Sequence, residues 1–599
     1  LKFTHKYARS RPYIVKHLTC AHVASTDHSI KYASLGKYPN WCSRLEKPWL
    51  KFWPEGVSQS IRYPEISLPQ MLRNAAQKFP ENSATVFYGA RISYKELDSL
   101  TDSFATALQG LGVRKGDRVA IFLPNCPQFV IGYYGALKAG AIVVACSPLY
   151  KERELEYQLN DSGAETILTL DLLYPIVSAV KERTKLRNVI STSLLDYFPP
   201  ALGVLARVTG KLKKIPCPGT INLKELLSRY PASPSEVGID PKKDIALLQY
   251  TGGTTGVPKG AMITHFNMVV NAVQIAYWLP ALEGKDIHLS VLPFFHIYGM
   301  SVAMNSPIYM GTTMVLIPRF EAKTILEAIG KYHVTVFCGV PTMYIALLNY
   351  PDLGKYDLSS IRSCFSGAAP LPVEVQKRFE EITGGRLVEG YGLTETSPVT
   401  HINPLDKKEK NRPGSIGIPI QDTESKIVDL ETGAMDLPSE QIGELVIRGP
   451  QVMMGYWNKR EETERALRDG WFYTGDISRM DRDGYFYIVD RKKDMINVSG
   501  LKVWPREVEE VLYEHPAVKE AGVIGIPDPY RGETVKAFVS LKDGYEGKVT
   551  QEEVINFCKE RIASYKAPQY VEFRKEMPKT AVGKILRRVL KDEALKRPA

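Results

Sequence analysis

Paired cysteines and long apolar runs are both missing from this sequence of 599 residues. Its eight cysteines are dispersed without a Cys-x-x-Cys pair, which argues against a disulfide framework and against a zinc site. The most apolar long stretch, residues 129–149, is interrupted by Lys138 and by glycines, as in a helix followed by a strand rather than a bilayer span. The sequence therefore predicts reduced thiols, a cytoplasmic location and no transmembrane helix.

Acidic residues are scarce at the start of the chain. Residues 1–55 hold ten Lys and Arg against three acids, so +7 of the formal net charge of +11 lies there and the remainder is nearly balanced. Because a nucleic-acid-binding protein more often carries its basic residues on the folded domain, we predict no nucleic-acid partner. We expect residues 1–55 to form a basic N-terminal extension, disordered or in contact with an anionic surface.

Short β-rich runs alternate with segments of helical periodicity from about residue 60 to about residue 490. This alternation predicts an α/β domain with mostly parallel sheets. From about residue 494 the pattern changes to a compact unit, whose short strands and helices predict a small α+β domain. The expected division is therefore a large domain of several subdomains over residues 56–492 and a small C-terminal domain over residues 493–599.

An insertion at residues 197–224 departs from this pattern, because it has five basic residues and no acid. Its apolar residues share one face of a predicted helix: Ala201, Val204, Leu205, Val208 and Leu212. The basic end of that helix suits a position on anionic lipid at the inner face of the membrane. Packing of the same face on the domain is the alternative, and both stay open.

A loop rich in glycine and threonine follows the apolar run at residues 245–248. Its backbone N–H groups and hydroxyls suit the binding of a polyphosphate. It is not a Walker A motif, because Pro258 and Gly260 flank its lysine where that motif has Gly and Ser or Thr. A plain glycine-rich turn is the alternative, which the density of hydroxyls disfavours. The loop contains Thr251, Gly252, Gly253, Thr254, Thr255, Gly256, Val257, Pro258 and Lys259.

Residues 389–396 form a second polar stretch, in which small residues permit close approach of a ligand. Tyr391 offers an aromatic face to a flat ring, and Thr394 can donate a hydrogen bond to a phosphate. Glu395 can hold a divalent metal as a hard oxygen ligand. Alone, this stretch is also compatible with a surface turn.

Two later stretches complete the set. In residues 469–494, Asp476 and Arg491 pair an acid at a predicted strand end with a basic residue, which suits a clamp on the two ribose hydroxyls. In residues 578–588, Lys584 follows a glycine and precedes a helix with an apolar face, as a mobile catalytic cation would. Any basic helix at the end of a chain could share this last pattern.

Together these four stretches, in this order and spacing, closely resemble the adenylate-forming enzymes, which include acyl-CoA synthetases, the adenylation domains of peptide synthetases and firefly luciferase. The resemblance covers about residues 60–595. Within that superfamily, residues 469–476 and 488–510 look like the signature of the fatty acyl-CoA synthetases. The resemblance implies a large adenylation domain, of class α/β, and a small mobile α+β C-terminal domain.

A bare carboxylate is a poor acyl donor, and the resemblance implies that ATP activates it as an acyl-adenylate before a thiol attacks. We therefore expect an AMP-forming ligase of medium- or long-chain fatty acids and CoA, which uses ATP and Mg²⁺. An arylate–CoA ligase of the same superfamily is the first alternative. A catalytically silent lipid-binding protein of the same fold is the second, although it would lack Lys584, Glu395 or the phosphate loop, and all three are present.

The resemblance also implies a role for each motif residue. The loop at residues 251–259 would hold the β- and γ-phosphates, Thr394 the α-phosphate and Glu395 the Mg²⁺. Asp476 and Arg491 would bind the ribose hydroxyls. The adenine would be held by Gly367, Ala368, Ala369 and Pro370 on one side and by Glu389, Gly390 and Tyr391 on the other, and Gly392 would also belong to the ATP-binding residues.

Lys584 would bridge the substrate carboxylate and the α-phosphate, and Lys493 matches the family's hinge between the two domains. After adenylation the small domain would rotate, withdraw the lysine and present another face to CoA, at Val498, Ser499, Gly500 and Leu501. His296 matches a family histidine beside the acyl carboxylate. Met300 stands where some long-chain enzymes carry a gating Trp, so the acyl chain length stays open. A peripheral contact with an anionic membrane and a homodimer also stay open.

Overall fold

The computed structural model describes residues 47–199, 214–251, 258–580 and 583–596. The first 46 residues of the predicted extension lie outside these ranges, as does the apolar face predicted for the insertion. Within the described residues the strands form four sheets.

The first sheet has parallel strands at its centre and antiparallel strands at its edges, as the alternation of strands and helices predicts. Its strands, in order across the sheet, are Ile418–Pro419, Val399–Ile402, Arg386–Gly392, Ser363–Ser366, Val336–Gly339, Ile287–Ser290, Thr313–Leu316, Ser83–Phe87 and Ala90–Ser93. The carboxyl ends of the parallel strands meet at one edge, where such sheets bind their ligands.

The second sheet is also mainly parallel, and an antiparallel hairpin closes one side of it. Its strands, in order, are Gly455–Tyr456, Lys259–Thr264, Ile245–Thr251, Ile142–Ala145, Arg118–Phe122, Thr166–Leu170, Asn188–Thr192 and Ile221–Asn222. Its core includes Phe122, Val144, Leu159 and Leu248. The hairpin between the second and third of these strands contains the glycine-rich loop.

Helices connect the strands of these two sheets. The α-helices before residue 470 are Leu68–Lys78, Tyr94–Gly110, Pro127–Lys138, Glu152–Ser162, Tyr174–Val180, Leu223–Arg229, His265–Trp278, Ile297–Met300, Ser306–Tyr309, Ala322–Tyr332, Pro341–Leu348, Val373–Thr383 and Arg460–Ala466. Ser93 and Glu96 form a capping box that starts the second of these helices. The apolar stretch at residues 129–149 is a buried helix followed by a strand, as predicted. No helix in the described part of the chain is long and apolar enough to cross a membrane.

A third, antiparallel sheet precedes the C-terminal unit. Its strands are Glu424–Val428, Gly443–Arg448, Trp471–Met480, Leu467–Arg468 and Phe486–Arg491. Asp476 and Arg491 are direct cross-strand partners in it, so their side chains lie on the same face.

The chain after residue 495 forms the small α+β unit that the sequence predicts. Its sheet contains Leu501–Val503, Ile496–Val498, Gly532–Leu541, Val518–Asp528 and Tyr570–Phe573, and its helices are Pro505–Glu514, Gln551–Lys559 and Arg587–Lys596. Val508, Leu512, Val535 and Val554 belong to its separate hydrophobic core. A core of its own is what allows such a unit to move as a body.

Residues 47–55, which the sequence analysis assigned to the extension, pack against the large domain. Trp49 is 2% exposed, and its ring lies beside that of Phe486. The ring of Trp53 meets that of Trp278 edge-on, with the centroids 5.1 Å apart. We call residues 47–55 the strap, because they tie the start of the described chain to the third sheet and to the helix His265–Trp278.

Candidate active site

A large cleft, about 3010 Å³ in volume, lies where the first three sheets meet the C-terminal unit. It is lined by most of the residues that the sequence analysis singled out: Thr251, Lys259, His296, Gly367, Ala368, Ala369, Pro370, Glu389, Gly390, Tyr391, Gly392, Thr394, Glu395, Asp476, Arg491, Lys493 and Lys584. These residues are up to 333 positions apart in the chain, from Thr251 to Lys584. The fold therefore gathers the four motifs at one place.

The ends of the glycine-rich loop are held by the hairpin of the second sheet. Thr251 and Lys259 are cross-strand partners in it. Between them, residues 252–257 lie outside the described residues: Gly252, Gly253, Thr254, Thr255, Gly256 and Val257. The Nζ atom of Lys259 lies 2.6 Å from Oε2 of Glu462 and 5.0 Å from the centroid of the Tyr456 ring. The hydrogen bond from Lys259 lowers the pKa of Glu462.

Two strand ends of the first sheet line one side of the cleft. Gly367 follows one of them, and a Cβ atom there would lie 3.2 Å from Cζ of Tyr298. Gly392 ends the other, and a Cβ atom there would overlap the carbonyl of Pro398. Glu389 is buried, and its Oε2 accepts a hydrogen bond from the backbone N–H of Leu371, at 3.1 Å. Burial raises the pKa of Glu389 to about 7.

A short helical turn, Thr394–Thr396, carries the next two motif residues just beyond this wall. Tyr456 donates a hydrogen bond from its hydroxyl to Oε1 of Glu395, at 2.7 Å. Burial raises the pKa of Glu395, and this hydrogen bond opposes the shift. In the part of the chain that is described, three or more His, Cys, Asp or Glu side chains nowhere cluster as metal ligands. The Glu395 side chain is a single carboxylate, the kind of donor that Mg²⁺ uses together with substrate phosphates.

Asp476 and Arg491 form an ion pair at the centre of the cleft. The Nε atom of Arg491 lies 3.1 Å from Oδ1 of Asp476, and the hydroxyl of Tyr391 donates to Oδ2 at 2.6 Å. Asp476 is only 4% exposed, so the pair holds a carboxylate that water hardly reaches. The charge of Asp476 is the main cause that raises the pKa of Arg491.

Lys584 reaches the same place from the C-terminal unit. Its loop is closed by hydrogen bonds from the Thr580 N–H to the Lys584 carbonyl, at 2.8 Å, and from the Lys584 N–H to Oγ1 of Thr580, at 3.1 Å. The side chain is exposed toward the cleft. Repulsion from Arg491, together with loss of hydration, lowers the pKa of Lys584 to about 8.

The glycine before that lysine touches the large domain. Gly583 has a φ of +75°, and a Cβ atom there would lie 2.8 Å from Oγ1 of Thr342. Thr342 belongs to the helix Pro341–Leu348. The structure therefore shows the orientation of the C-terminal unit in which Lys584 points into the cleft.

His296 lies at the start of a helix on the opposite wall. Its Nδ1 accepts a hydrogen bond from the backbone N–H of Tyr298, at 3.2 Å. Burial lowers the pKa of His296 to about 4, so the ring is neutral near pH 7 and carries its proton on Nε2. Met300, one turn further along, is fully buried.

The predicted hinge and the predicted CoA-facing residues lie apart from each other. Lys493 is in the turn Lys492–Asp494 beside the cleft, where burial lowers its pKa. The other group forms a hairpin tip on the C-terminal unit and does not line the cleft: Val498, Ser499, Gly500 and Leu501. Ser499 and Gly500 have φ values of +52° and +84°, as a tight hairpin requires.

The sequence analysis did not identify two residues of the site. Tyr456 orients Glu395, and Glu462 holds Lys259. The only sequence signal is that both follow Gly455, in a short segment of Tyr, Trp and charged residues with no motif of its own. Their partners are 61 and 203 residues away, so a local pattern could not reveal them.

Comparison with known proteins identifies the family of the chain. Residues 72–457 match the AMP-binding enzymes, and residues 507–584 match the AMP-binding enzyme C-terminal domain. A long-chain-fatty-acid–CoA ligase of Bacillus subtilis is 50% identical over 556 residues, which are 92% of this chain and 98% of that protein. A long-chain-fatty-acid–CoA ligase of Escherichia coli is 40% identical over 564 residues, which are 92% of this chain and 99% of that protein.

A solved structure shares the fold as well. The crystal structure of the anthranilate CoA ligase AuaEII, in complex with anthranoyl-AMP, superposes with a TM-score of 0.79 at 28% identity. The match covers 89% of this chain and 98% of that one. From its two matched domains, and from its identity with these relatives along nearly the whole length, the chain belongs to the adenylate-forming family of AMP-binding enzymes and is most similar to the fatty acid–CoA ligases.

Proposed function

We propose that this protein joins fatty acids to CoA and converts ATP to AMP and diphosphate, through an acyl-adenylate. One observation carries the proposal: Lys584 of the C-terminal unit lines the same cleft as Glu395 and the Asp476–Arg491 pair, and it interacts electrostatically with that pair. The names of the curated relatives supply the substrate class. The same site with an aryl substrate is the alternative, and the named activity of AuaEII is its precedent.

The nucleotide has a place for each of its parts. The loop at residues 251–259 takes the β- and γ-phosphates, and Thr394 takes the α-phosphate. The adenine ring lies between residues 367–370 and 389–392, which line the same cleft. Asp476 and Arg491 bind the ribose hydroxyls, for which Tyr391 must give up or share its hydrogen bond to Asp476.

Glu395, together with the phosphates of ATP, would hold Mg²⁺. The bound ion would supply charge neutralisation at the phosphates. The hydroxyl of Tyr456 orients the carboxylate by engaging Oε1. Because burial raises the pKa of Glu395, that hydrogen bond also helps to keep the carboxylate ionised in the free enzyme.

Adenylation rests on position and charge. The fatty carboxylate attacks the α-phosphorus in line, the bond to the β-phosphate breaks and diphosphate leaves, and Lys584 contacts the carboxylate and the α-phosphate as negative charge builds up. The neutral His296 lies beside the carboxylate, where its Nε2–H can donate a hydrogen bond. Since the anionic substrates favour the charged form of Lys584, binding raises its pKa above the value of about 8 in the free enzyme.

Thioester formation needs a second arrangement. The hairpin tip at residues 498–501 stands away from the cleft in this structure, so the small domain, residues 493–599, rotates about Lys493 against the large domain, residues 56–492, to present it to CoA. The rotation removes Lys584 from the cleft. The thiol then attacks the acyl carbon and AMP leaves.

The experiment is a measurement of pyrophosphate release with ATP, Mg²⁺ and CoA across straight-chain acids from acetate to oleate, with benzoate and a cinnamate. We expect release to be fastest with an aliphatic acid and to depend on CoA. Because Met300 stands where some long-chain enzymes carry a gating Trp, the preferred chain length has to be measured. If pyrophosphate release is fastest with the aryl acids, the protein is an arylate–CoA ligase instead. Release without any dependence on CoA would assign the second step to another thiol.

A peripheral contact with the inner face of an anionic membrane also belongs to this proposal, as does a cytoplasmic location. It is supported by the five basic residues of the insertion at residues 197–224 and by the partitioning of fatty acids into bilayers. Flotation with anionic liposomes, with and without residues 201–214, tests it, and equal flotation of the two proteins would refute it. A homodimer stays a prediction that sedimentation velocity checks.

A further inference from the structure

Asp490 is a buried carboxylate that the proposed chemistry does not use. It lies in the strand Phe486–Arg491 of the third sheet, three residues before the hinge residue Lys493, and is 3% exposed. Its Oδ1 accepts a hydrogen bond from Nη1 of Arg587, at 2.7 Å, and its Oδ2 accepts one from the backbone N–H of Arg506, at 2.6 Å. Both of these donors come from the C-terminal unit, whereas a third, the backbone N–H of Arg491, donates to Oδ1 at 2.7 Å from the same strand as Asp490.

Arg587 occupies a corresponding position on the other side of the hinge. It begins the last helix, three residues after Lys584. Its Nε and Nη2 donate to the two carboxylate oxygens of Glu509, at 2.9 and 2.5 Å, and its Nη1 also contacts Asp494, at 3.3 Å. Glu509 and Asp494 follow the hinge in the chain and move with Arg587, whereas Asp490 does not.

Rotation about Lys493 therefore separates Arg587 from Asp490 and leaves the other ion pairs of Arg587 intact. Arg587 keeps Glu509 and Asp494, but Asp490 loses the side chain of Arg587 and the backbone N–H of Arg506 together. The contact from Nη1 of Arg506 to the carbonyl of Ile488, at 2.7 Å, also crosses the hinge and is lost. Because the carboxylate of Asp490 is buried in this orientation, it must be hydrated or find another partner in the other orientation.

We propose that Asp490 and Arg587 form a latch that holds the small domain in the orientation for adenylation and that must open before the thioester forms. The latch positions Lys584 through the short segment between Lys584 and Arg587, so Arg587 is a positioning residue and not a catalytic one. The inference rests on the proposed function, because it assigns the two orientations to the two half-reactions. The inference adds that the Asp490–Arg587 ion pair determines the equilibrium between the two orientations.

The test separates the half-reactions in Arg587→Gln and Asp490→Asn, both of similar size to the native residue. ATP–pyrophosphate exchange with a fatty acid should fall about tenfold in each variant. Loss of the charge pair lowers the population of the orientation for adenylation, and the exchange rate falls with that population. Thioester formation from supplied acyl-adenylate and CoA should be unchanged or faster. The double variant should be no slower in exchange than either single one, because both remove the same pair.

Arg574→Gln is the matched control. Arg574 pairs with Glu593 of the same last helix, at 2.6 Å, within the small domain, so its loss should leave the ratio of the two half-reactions unchanged. An equal fall of both half-reactions in Arg587→Gln, or no fall in exchange, would overturn the latch. If the wild-type protein shows no ATP–pyrophosphate exchange with any carboxylic acid, the proposed function itself is wrong.

Hydrogen exchange in the full-length protein tests the latch without any activity. The amide of Arg506 is protected by its hydrogen bond to Asp490 in the latched orientation. We expect faster exchange of this amide in Arg587→Gln and the wild-type rate in Arg574→Gln. The wild-type rate in Arg587→Gln would refute the latch, whatever the activities are.

Discussion

At the scale of single residues, Lys584 carries the sharpest prediction. In Lys584→Ala, adenylation should fall by about 10²- to 10³-fold, since the group that stabilises the developing charge is gone. Thioester formation from supplied acyl-adenylate should remain within a few-fold of the wild type, because the lysine has left the cleft by then. Single-turnover assays of the two half-reactions measure both, and an equal loss in both would contradict the assignment.

The pKa of Lys584 predicts a pH dependence. The charged form is the active one, and in the free enzyme it is lost as the pH rises through about 8, mainly because Arg491 repels it. The kcat/KM of adenylation, which reports the free enzyme, should therefore decline above about pH 8. In Lys584→Arg the remaining activity should keep its plateau to higher pH. A decline at the same pH in this variant would assign the titration to another group.

Tyr456 and Glu395 should act as a pair in their dependence on Mg²⁺. Glu395→Ala should lower the rate and raise the concentration of Mg²⁺ needed for half-maximal activity. Tyr456→Phe removes the hydroxyl that donates to Oε1 of Glu395 and should shift the same concentration in the same direction by about tenfold or more, as the loss of a hydrogen bond to a charged group does. Titration with Mg²⁺ at saturating ATP checks both variants, and an unchanged requirement in Tyr456→Phe would show that the carboxylate needs no orientation.

At the scale of elements, much of the fold could be predicted, because it follows from local patterns. The buried strand Ile142–Ala145 follows its helix as the apolar run indicates, and Asp476 and Arg491 lie in paired strands where their spacing allowed a clamp. The strap was assigned to the extension instead, since its basic neighbours dominate the composition and the partner of Trp53 is 225 residues away. Contacts of that separation leave no periodicity in the sequence.

The strap should contribute to stability out of proportion to its length. Trp49 is buried against the ring of Phe486, and a Cβ atom on Gly484 would overlap its backbone. Trp49→Ala should lower the free energy of unfolding by about 3 kcal/mol or more, as large-to-small changes at buried tryptophans do. Lys51→Ala, an exposed position in the same turn, is the control. Thermal unfolding measures both, and equal midpoints would show that the strap is not part of the folded body.

At the scale of the whole molecule, the proposed mechanism gives the small domain two orientations, and the structure shows one contact of the orientation for adenylation. Gly583 meets Thr342 of the large domain where Lys584 lies in the cleft, and its φ of +75° disfavours any side chain. A methyl group there would lie 2.8 Å from Oγ1 of Thr342, a distance that real Cβ atoms do not show. We therefore expect an alanine at this position to act against the orientation for adenylation.

Gly583→Ala should consequently slow adenylation and spare thioester formation from supplied acyl-adenylate. Thr342→Ala removes the hydroxyl that the new methyl group meets, so the double variant should recover part of the lost adenylation, while the cost of the positive φ persists. Thr342→Ala alone serves as the reference for any effect of the hydroxyl itself. Recovery in the double variant would mean that the contact between domains, and not only the local backbone, governs the first half-reaction. Identical losses in the single and double variants would place the whole effect in the loop that carries Lys584.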